Sequence, residues 1–195
     1  MNIYIVTYKG PFGFLKPWTA VRDSETFSQQ FLTPSIIEGM EKKLFPELLE
    51  KPGIHKIVGH RLSYKHLSTH QEVIQTRGWN SVSAGRGVKK FDRPTSILGR
   101  GVLHEPILRL AFTSFEDANL ASKQHLCLAR NEDVVLPISI RETTKEEFET
   151  DDESFPGYEL VFEETEHAFL VGYHRVTKEP MYGWIRIVGE PVTQY

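Results

Sequence analysis

The sequence has a single cysteine and no long apolar run. Cys127 has no second cysteine to pair with, which excludes an internal disulfide and a zinc site built from several cysteines. No stretch approaches the about 20 consecutive apolar residues that a membrane-spanning helix needs. The opening MNIYIVTYKG lacks the charged head, apolar stretch and cleavage site of a signal peptide. These absences predict a soluble, cytoplasmic protein with no membrane partner.

Motifs for common cofactors and nucleophiles are also missing. There is no Walker-type phosphate loop, and Gly85-Arg86-Gly87 is too short to indicate a dinucleotide site. The GxSxG elbow of the α/β-hydrolases is absent. Cys127 lies in an apolar context without an obvious base, which favours a buried small residue over a nucleophile. We therefore predict no cofactor and no catalytic residue of these classes.

Charge is present but unevenly distributed. The net charge is −3, yet residues 142–166 contain eleven acidic residues and one basic residue, Lys145. That segment carries −10, so the remainder of the chain carries +7, the difference between −3 and −10. A basic body is able to bind a polyanion despite an overall pI of about 6.2. The acidic segment is more typical of a solvated loop.

The pattern of apolar residues predicts strands around one main helix. Residues 2–9 are β-branched and aromatic and predict a first strand, followed by a loop over 10–32. Thr33-Pro34 supplies a cap and a first-turn proline, with Ser35-x-x-Glu38 as a competing capping box. Apolar residues then recur at helical spacing until Lys51-Pro52-Gly53. Residues 65–101 look irregular. Further strands are predicted at 54–64, 102–115, 125–140, 158–163, 167–176 and 181–188, with a short helix at 116–124.

A strand, a helix and then more strands indicate an α+β fold. We predict a ferredoxin-like domain of the RNA-recognition type over 1–140, which includes a long basic insert at 77–101. Residues 141–195 would contain the acidic segment and a small C-terminal β meander.

The insert at 77–101 is the most informative stretch. It holds six basic residues, one acid (Asp92) and five glycines, with Trp79 and Phe91 between them. Cations bind phosphates, unpaired bases stack on aromatic rings, and glycine lets a ligand approach the backbone. A flexible loop with solvated charges is the alternative, so the insert alone leaves nucleic-acid binding open.

Histidines are concentrated between residues 51 and 70, at positions 55, 60, 66 and 70. A metal site is not favoured, because His55 and His60 would point to opposite faces of a strand. Tyr64-Lys65-His66 contains residue types that cleave RNA without metal, but adjacent side chains rarely converge on one phosphate. We predict no metal ligand and no catalytic residue here.

Two blocks of sequence resemble the Cas five family of CRISPR-associated proteins. One begins the predicted helix with a Pro-Ser pair and has a glycine one turn later. The other is similar to the family's leucine-glycine-arginine-x-glutamate block, and its acid and apolar pair are most similar to subtype B versions. The residues are Gly10-Pro11-Phe12, Phe14, Lys16-Pro17 and Phe31-Leu32-Thr33-Pro34-Ser35-Ile36-Ile37-x-Gly39, then Leu128-Ala129-Arg130-Asn131-Glu132-Asp133-Val134-Val135.

This resemblance implies a subunit of a type I CRISPR surveillance complex. Such a protein would have a ferredoxin-like RNA-recognition domain, a thumb-like hairpin and a smaller C-terminal part. It would bind the five-prime handle of the guide RNA, cap the filament of backbone subunits and contact the large subunit, with target DNA as an indirect partner.

The resemblance also bears on catalysis. In most subtypes the family is non-catalytic, whereas in subtype C it cuts the precursor RNA with a tyrosine before the first helix and a later lysine-histidine pair. Gln29 stands at the position of that tyrosine, and Lys123-Gln124-His125 only loosely resembles the pair. The resemblance therefore implies a chain that holds RNA and does not cut it.

We expect the handle site to combine the insert at 77–101 with the junction at 16–35. A helix N-terminus with free backbone N–H groups is a good place for a phosphate. A purely structural role for Pro34, Ser35 and Gly39, as cap, first turn and tight packing, is an open alternative. The predicted RNA-binding residues are Lys16, Arg22, Thr33, Pro34, Ser35, Arg77, Trp79, Arg86, Lys89, Lys90, Arg93 and Arg100.

Two other functions stay open from the sequence. The chain could be a metal-independent endoribonuclease that processes precursor RNA, or a β-rich interaction module that binds no nucleic acid.

Overall fold

The fold is described from a computed structural model. The structure describes residues 1–17, 25–76, 78–83, 89–128, 130–174 and 177–193. Its helices are α1 (Pro34–Leu44), α2 (Phe115–Ala121) and α3 (Lys145–Thr150), with a short 3-10 turn at Pro46–Leu48. Its strands are β1 (Asn2–Lys9), β2 (Phe12–Gly13), β3 (Glu25–Phe27), β4 (Ile57–Ser63), β5 (His66–Gln75), β6 (Asn80–Ser83), β7 (Lys89–Asp92), β8 (Thr95–His104), β9 (Ile107–Phe112), β10 (Leu126–Cys127), β11 (Val134–Thr144), β12 (Gly157–Val161), β13 (Phe169–Tyr173) and β14 (Pro180–Val188).

The centre of the molecule is an antiparallel sheet with two helices on one face. Strands β11, β1, β9 and β4 lie side by side in that order, and α1 and α2 follow β1 and β9 in the chain. This is the order and connectivity of a ferredoxin-like unit, so the predicted fold class is confirmed. Alternation along β1 sends Val6 and Tyr8 into the core beneath the helices and Ile3 and Ile5 to the opposite face.

Helix α1 begins as predicted but ends early. Thr33 caps it, Pro34 opens it, and Ile37, Met40 and Leu44 bury its apolar face. The predicted continuation to Lys51-Pro52-Gly53 is wrong, because Pro46 has no N–H to donate and starts a 3-10 turn.

A long hairpin replaces the irregular stretch predicted at 65–101. Strands β5 and β8 pair from His66 opposite His104 to Gln75 opposite Thr95, and β6 pairs with β7 beyond them. Strands β2 and β3 lie along β8, so the base of the hairpin is part of a second sheet. Few residues of the hairpin are buried, so its sequence lacks the apolar alternation that usually reveals a strand.

The acidic segment is ordered, which corrects its interpretation as a solvated loop. It contains the end of β11 and all of α3 and β12. Phe148 and Phe155 pack against Ile3, Ile5 and Ala111 and form a small second core on the sheet face away from α1 and α2. Apolar residues between the acids therefore hold this segment in place.

The last three strands extend the main sheet beyond β4 in the order β12, β14, β13. Contact with β4 is close because Gly157 has no side chain: a Cβ there would meet Arg61 and the backbone of Leu62. The proposed boundary at residue 140 falls inside β11. Within the described ranges, no helix combines the length and apolar character needed to cross a membrane.

Candidate nucleic-acid interface

A cationic groove of about 290 Å³ runs between α1 and β10. Its polar lining consists of Lys16, Ser35 and Lys43, and its apolar walls include Met40 and Leu126. The described residues that line it include no carboxylate. A groove with two ammonium groups and no acid attracts an anionic chain.

Helix geometry explains why this groove forms. Ser35, Gly39 and Lys43 are spaced four residues apart, so they lie on one face of α1. Lys43 donates to the carbonyl of His125, which ties this face to the segment before β10. Lys16 follows the buried Leu15 and is itself exposed. Lys43 is not among the predicted RNA-binding residues, although its four-residue spacing from Ser35 and Gly39 could have revealed it.

The residues at the start of α1 differ in how much of their surface they present to the groove. Thr33 is buried, and its Oγ1 accepts from the Ile36 N–H at 3.4 Å and lies 3.0 Å from the Ser35 hydroxyl oxygen. The Ile36 and Ile37 N–H groups both donate to the Thr33 carbonyl at 3.0 Å. Pro34 is half-buried, so Ser35 is the residue of the predicted trio that faces the groove.

Gly39 is not a packing glycine. A Cβ built on it would meet nothing within 4 Å, which overturns tight packing as the reason for this residue. The position leaves room for a ligand to approach the helix backbone in the groove.

Two arginines share one aromatic ring at the base of the hairpin. The guanidinium carbons of Arg100 and Arg130 lie 5.4 Å and 5.6 Å from the Phe14 ring centre. Arg100 Nε pairs with Glu72 at 3.0 Å. Arg130 makes a two-pronged bond to Asp133, at 2.8 Å and 2.7 Å. Arg130 belongs to the second block that resembles the Cas five family, but it is not among the predicted RNA-binding residues.

Asp133 fixes this arrangement from the protein interior. Its side chain is fully buried, and besides the guanidinium it accepts the Arg130 backbone N–H at 3.1 Å. These bonds raise the pKa of Arg130 above its usual range, mainly through the Asp133 side chain. A fixed, permanently charged guanidinium beside a ring suits recognition of phosphates and stacked bases.

The tip of the hairpin carries a second group of predicted residues. Lys89 and Lys90 are exposed on β7. Trp79 is 63% exposed, and the Arg93 guanidinium carbon lies 5.4 Å from its ring centre while Arg93 Nε donates to the Thr76 carbonyl at 2.8 Å. Three predicted residues lie outside the described part of the chain: Arg22, Arg77 and Arg86.

The structure therefore divides the predicted site into two parts. Lys16 and Ser35 meet in the groove, and Arg100 lies at the base of the hairpin. Lys89, Lys90 and the Trp79–Arg93 pair lie beyond the paired strands β5 and β8. Each of these strands has ten residues, which corresponds to a length of about 30 Å.

A histidine cluster lies at the base of the same hairpin. The rings of His66 and His104 are stacked with centres 4.4 Å apart, and His70 Nε2 lies 3.1 Å from His104 Nε2. Burial, followed by the neighbouring His66 and His70, lowers the pKa of His104. In the described ranges, no three or more His, Cys, Asp or Glu side chains form a group that could hold a metal ion.

The residues considered for RNA cleavage do not converge. Tyr64 donates to the Gln30 side chain, whereas Lys65 pairs with Glu105 at 3.1 Å and His66 stacks on His104. The Gln29 amide donates to the Phe31 carbonyl at 2.8 Å and holds the loop before α1.

Cys127 is not the buried residue that its apolar context predicted. It is partly exposed and lies in the wall of the cationic groove. Among the described strands, its short strand β10 pairs with β11 alone, and Leu126 and Cys127 both line the groove.

Comparison with known proteins gives a fold but no family. No family model matches the sequence, and no curated protein matches it. A chain from a solved structure described as "CRISPR RNA-guided surveillance complex" is similar, with 12% sequence identity and a TM-score of 0.51. The likeness covers 97% of this chain and 90% of that chain. At this identity the two chains share a fold over nearly their whole length.

Proposed function

We propose that this chain is a non-catalytic subunit of a CRISPR RNA-guided surveillance complex that binds the five-prime handle of the guide RNA. The cationic groove between α1 and β10 is the observation that carries the proposal. In the complex, the chain caps the backbone filament and contacts the large subunit, and it meets target DNA only indirectly.

The groove suits a single RNA strand. Lys16 and Lys43 supply cations without a competing carboxylate, and Ser35 adds a hydroxyl group. Gly39 leaves open space over the helix between them. Sequence-specific recognition of RNA usually targets unpaired nucleotides, which is what a handle presents.

The hairpin extends this surface. The arginines on Phe14 lie at its base, and Lys89, Lys90 and the Trp79–Arg93 pair lie at its tip. Phosphate contacts to lysines and base stacking on an exposed tryptophan are the two elements of single-strand binding. The similarity in fold to a surveillance-complex chain agrees with this role.

A charge-reversal experiment tests the groove. The double variant Lys16→Glu and Lys43→Glu should weaken binding of single-stranded repeat RNA from the same locus by more than about tenfold, or about 1.4 kcal/mol. Fluorescence anisotropy measures the affinity, and thermal unfolding checks that the variant is folded. The matched control reverses two exposed lysines elsewhere, Lys51→Glu and Lys123→Glu, with the same change in net charge.

Equal affinity of the groove variant and its control would remove the groove from the site. The cysteine gives a second readout without mutation of the groove. Cys127 lies in the groove wall, so bound RNA should slow its modification by a maleimide, whereas an RNA-bound protein with unchanged reactivity would contradict the proposal.

RNA cleavage is the alternative function, and one contact gives it a specific test. The two Nε2 atoms of His70 and His104 lie 3.1 Å apart, a distance at which one ring donates a hydrogen bond to the other. Incubation of repeat RNA with the protein in EDTA should leave the RNA intact. Cleavage at one position that is lost in His104→Ala would replace the non-catalytic role with that of an endoribonuclease.

A further inference from the structure

An uncharged apolar strand forms one edge of the eight-stranded sheet. Strand β13, FLVGY, pairs with β14 on one side, and no strand of the described part of the chain pairs with its other side. Protected edge strands usually carry a charge or a proline, and β13 has neither. Phe169, Leu170 and Tyr173 are 39%, 45% and 62% exposed.

The apolar surface continues on both faces of this edge. Leu170 is paired with Tyr182, so these two exposed side chains lie on one face, with Trp184 two residues further along β14. Phe169 is paired with Gly183 and lies on the other face. A strand added to β13 would therefore find apolar neighbours for its side chains on either face.

One end of β13 is acidic. The turn before it contains Glu163, Glu164 and Glu166, all exposed. Among the described residues, none of these carboxylates pairs with a lysine or an arginine: Glu163 accepts from the Trp184 indole at 3.4 Å and Glu166 lies 3.2 Å from His167. Three carboxylates that pair with no described lysine or arginine favour a partner with positive charge at that end.

We propose that β13 is a docking edge for an extended segment of another protein. The segment adds as a further strand, carries apolar residues at alternate positions, and places lysine or arginine beside residues 163–166. Main-chain hydrogen bonds to the edge of β13 that pairs with no described strand provide affinity, and the acidic turn sets direction and partner. This docking does not depend on RNA binding, since it uses neither the groove nor the hairpin β5–β8.

Hydrogen exchange with two matched peptides tests the proposal. Each probe has about ten residues that alternate valine and threonine, and it ends either in three arginines or in three glutamates. The arginine peptide should slow exchange of the β13 amides by about tenfold at saturation, and the glutamate peptide should not. The variant Glu163→Lys, Glu164→Lys and Glu166→Lys reverses the charge of the turn. In that variant the glutamate peptide should slow exchange of the β13 amides, and the arginine peptide should not.

Two controls make the result specific. Leu170→Lys places a charge on the exposed edge and should abolish the effect of the arginine peptide. Glu146→Lys with Glu153→Lys changes the charge of two exposed acids elsewhere in the acidic segment and should leave the effect unchanged.

Three outcomes would overturn the proposal. The first is that neither peptide protects β13, and the second is that both peptides protect it equally. The third is that β13 becomes protected without peptide as the protein concentration rises. The last result, with a dimer in sedimentation velocity, would make a second copy of this chain the occupant. RNA affinity is measured separately, so failure at this edge leaves the proposed RNA-binding role standing.

Discussion

At the scale of single residues, His60 shows how a polar side chain in the core is perturbed. It lies on β4 opposite Leu110 and is almost fully buried, and its Nε2 has no hydrogen-bond partner among the described residues. Burial, helped by the neighbouring Arg61, lowers the pKa of His60 to about 3. The imidazole is therefore neutral in the folded protein above a pH of about 3.

This shift predicts a pH dependence of stability. The unfolded chain binds a proton at His60 below pH of about 6.5 and the folded chain only below about 3, so stability falls as the pH drops through that window. Between pH 7 and 5 the wild type should lose about 2 kcal/mol more than His60→Leu. Urea unfolding at both pH values measures the difference.

The control replaces a histidine that the structure leaves in solvent. His167→Leu should keep the full pH dependence, because His167 is 81% exposed. If His60→Leu and the wild type lose equal stability, His60 takes up a proton in the folded protein as readily as in the unfolded chain. Its pKa would then not be lowered by burial.

Glu41 is a second residue whose role only the fold could assign. It lies on the buried side of α1 and is fully buried, and its carboxylate accepts the backbone N–H groups of His55, Lys56 and Ile57. In the sequence it is one more polar residue on an amphipathic helix. In the folded protein the segment that leads into β4 passes beside α1, and the Glu41 carboxylate binds the backbone of that segment.

At the scale of elements, the α1–β10 groove gives a test with two readouts. Gly39→Ala should stabilise the protein by about 0.5–1 kcal/mol, since alanine favours a helix and its methyl group meets nothing. If RNA approaches the backbone here, the same change should weaken RNA binding several-fold. Urea unfolding and fluorescence anisotropy on one protein sample measure both effects.

Glu116→Ala on α2 is the comparison, because it alters an exposed helical side chain away from the groove. It should leave RNA affinity unchanged. A Gly39→Ala protein that is more stable and binds RNA as well as the wild type would mean that RNA does not approach Gly39.

The hairpin is the element that sequence reasoning described least well. Its basic residues, Trp79 and glycines pointed to nucleic acid, but its strands were missed because few of their side chains are buried. The pairing of β5 with β8 over ten residues holds the hairpin strands in place, whereas buried apolar side chains do so for the strands of the main sheet. The family resemblance, and not the periodicity, predicted a thumb-like hairpin.

At the scale of the whole molecule, RNA that binds both the groove and the hairpin tip should show a strong dependence on salt. Lys89→Ala with Lys90→Ala should reduce the slope of log affinity against log salt by about 1.4, the value for two phosphate contacts to a single strand. Affinity measured at several salt concentrations gives the slope.

Lys51→Ala with Lys123→Ala removes the same charge from other exposed positions and should leave the slope unchanged. A tip variant with the full wild-type slope would confine the RNA to the groove and the base of the hairpin.

The local elements follow from the sequence alone. Alternation predicted β1 at its observed bounds, and Thr33-Pro34 predicted the start of α1. Both follow from neighbours in the chain: side-chain period for a strand, and cap and first-turn chemistry for a helix. The strand–helix–strand order was enough to predict the ferredoxin-like class.

Which distant residues meet depends on the packing of the folded chain. Lys16 and Lys43 share a groove although 27 positions separate their numbers. Arg100 and Arg130 share the Phe14 ring, and among the described strands β13 is at the edge of the sheet because β14 lies between it and β12. Contacts between distant segments depend on how strands pair and helices cross, and the period of a sequence carries no information about that pairing.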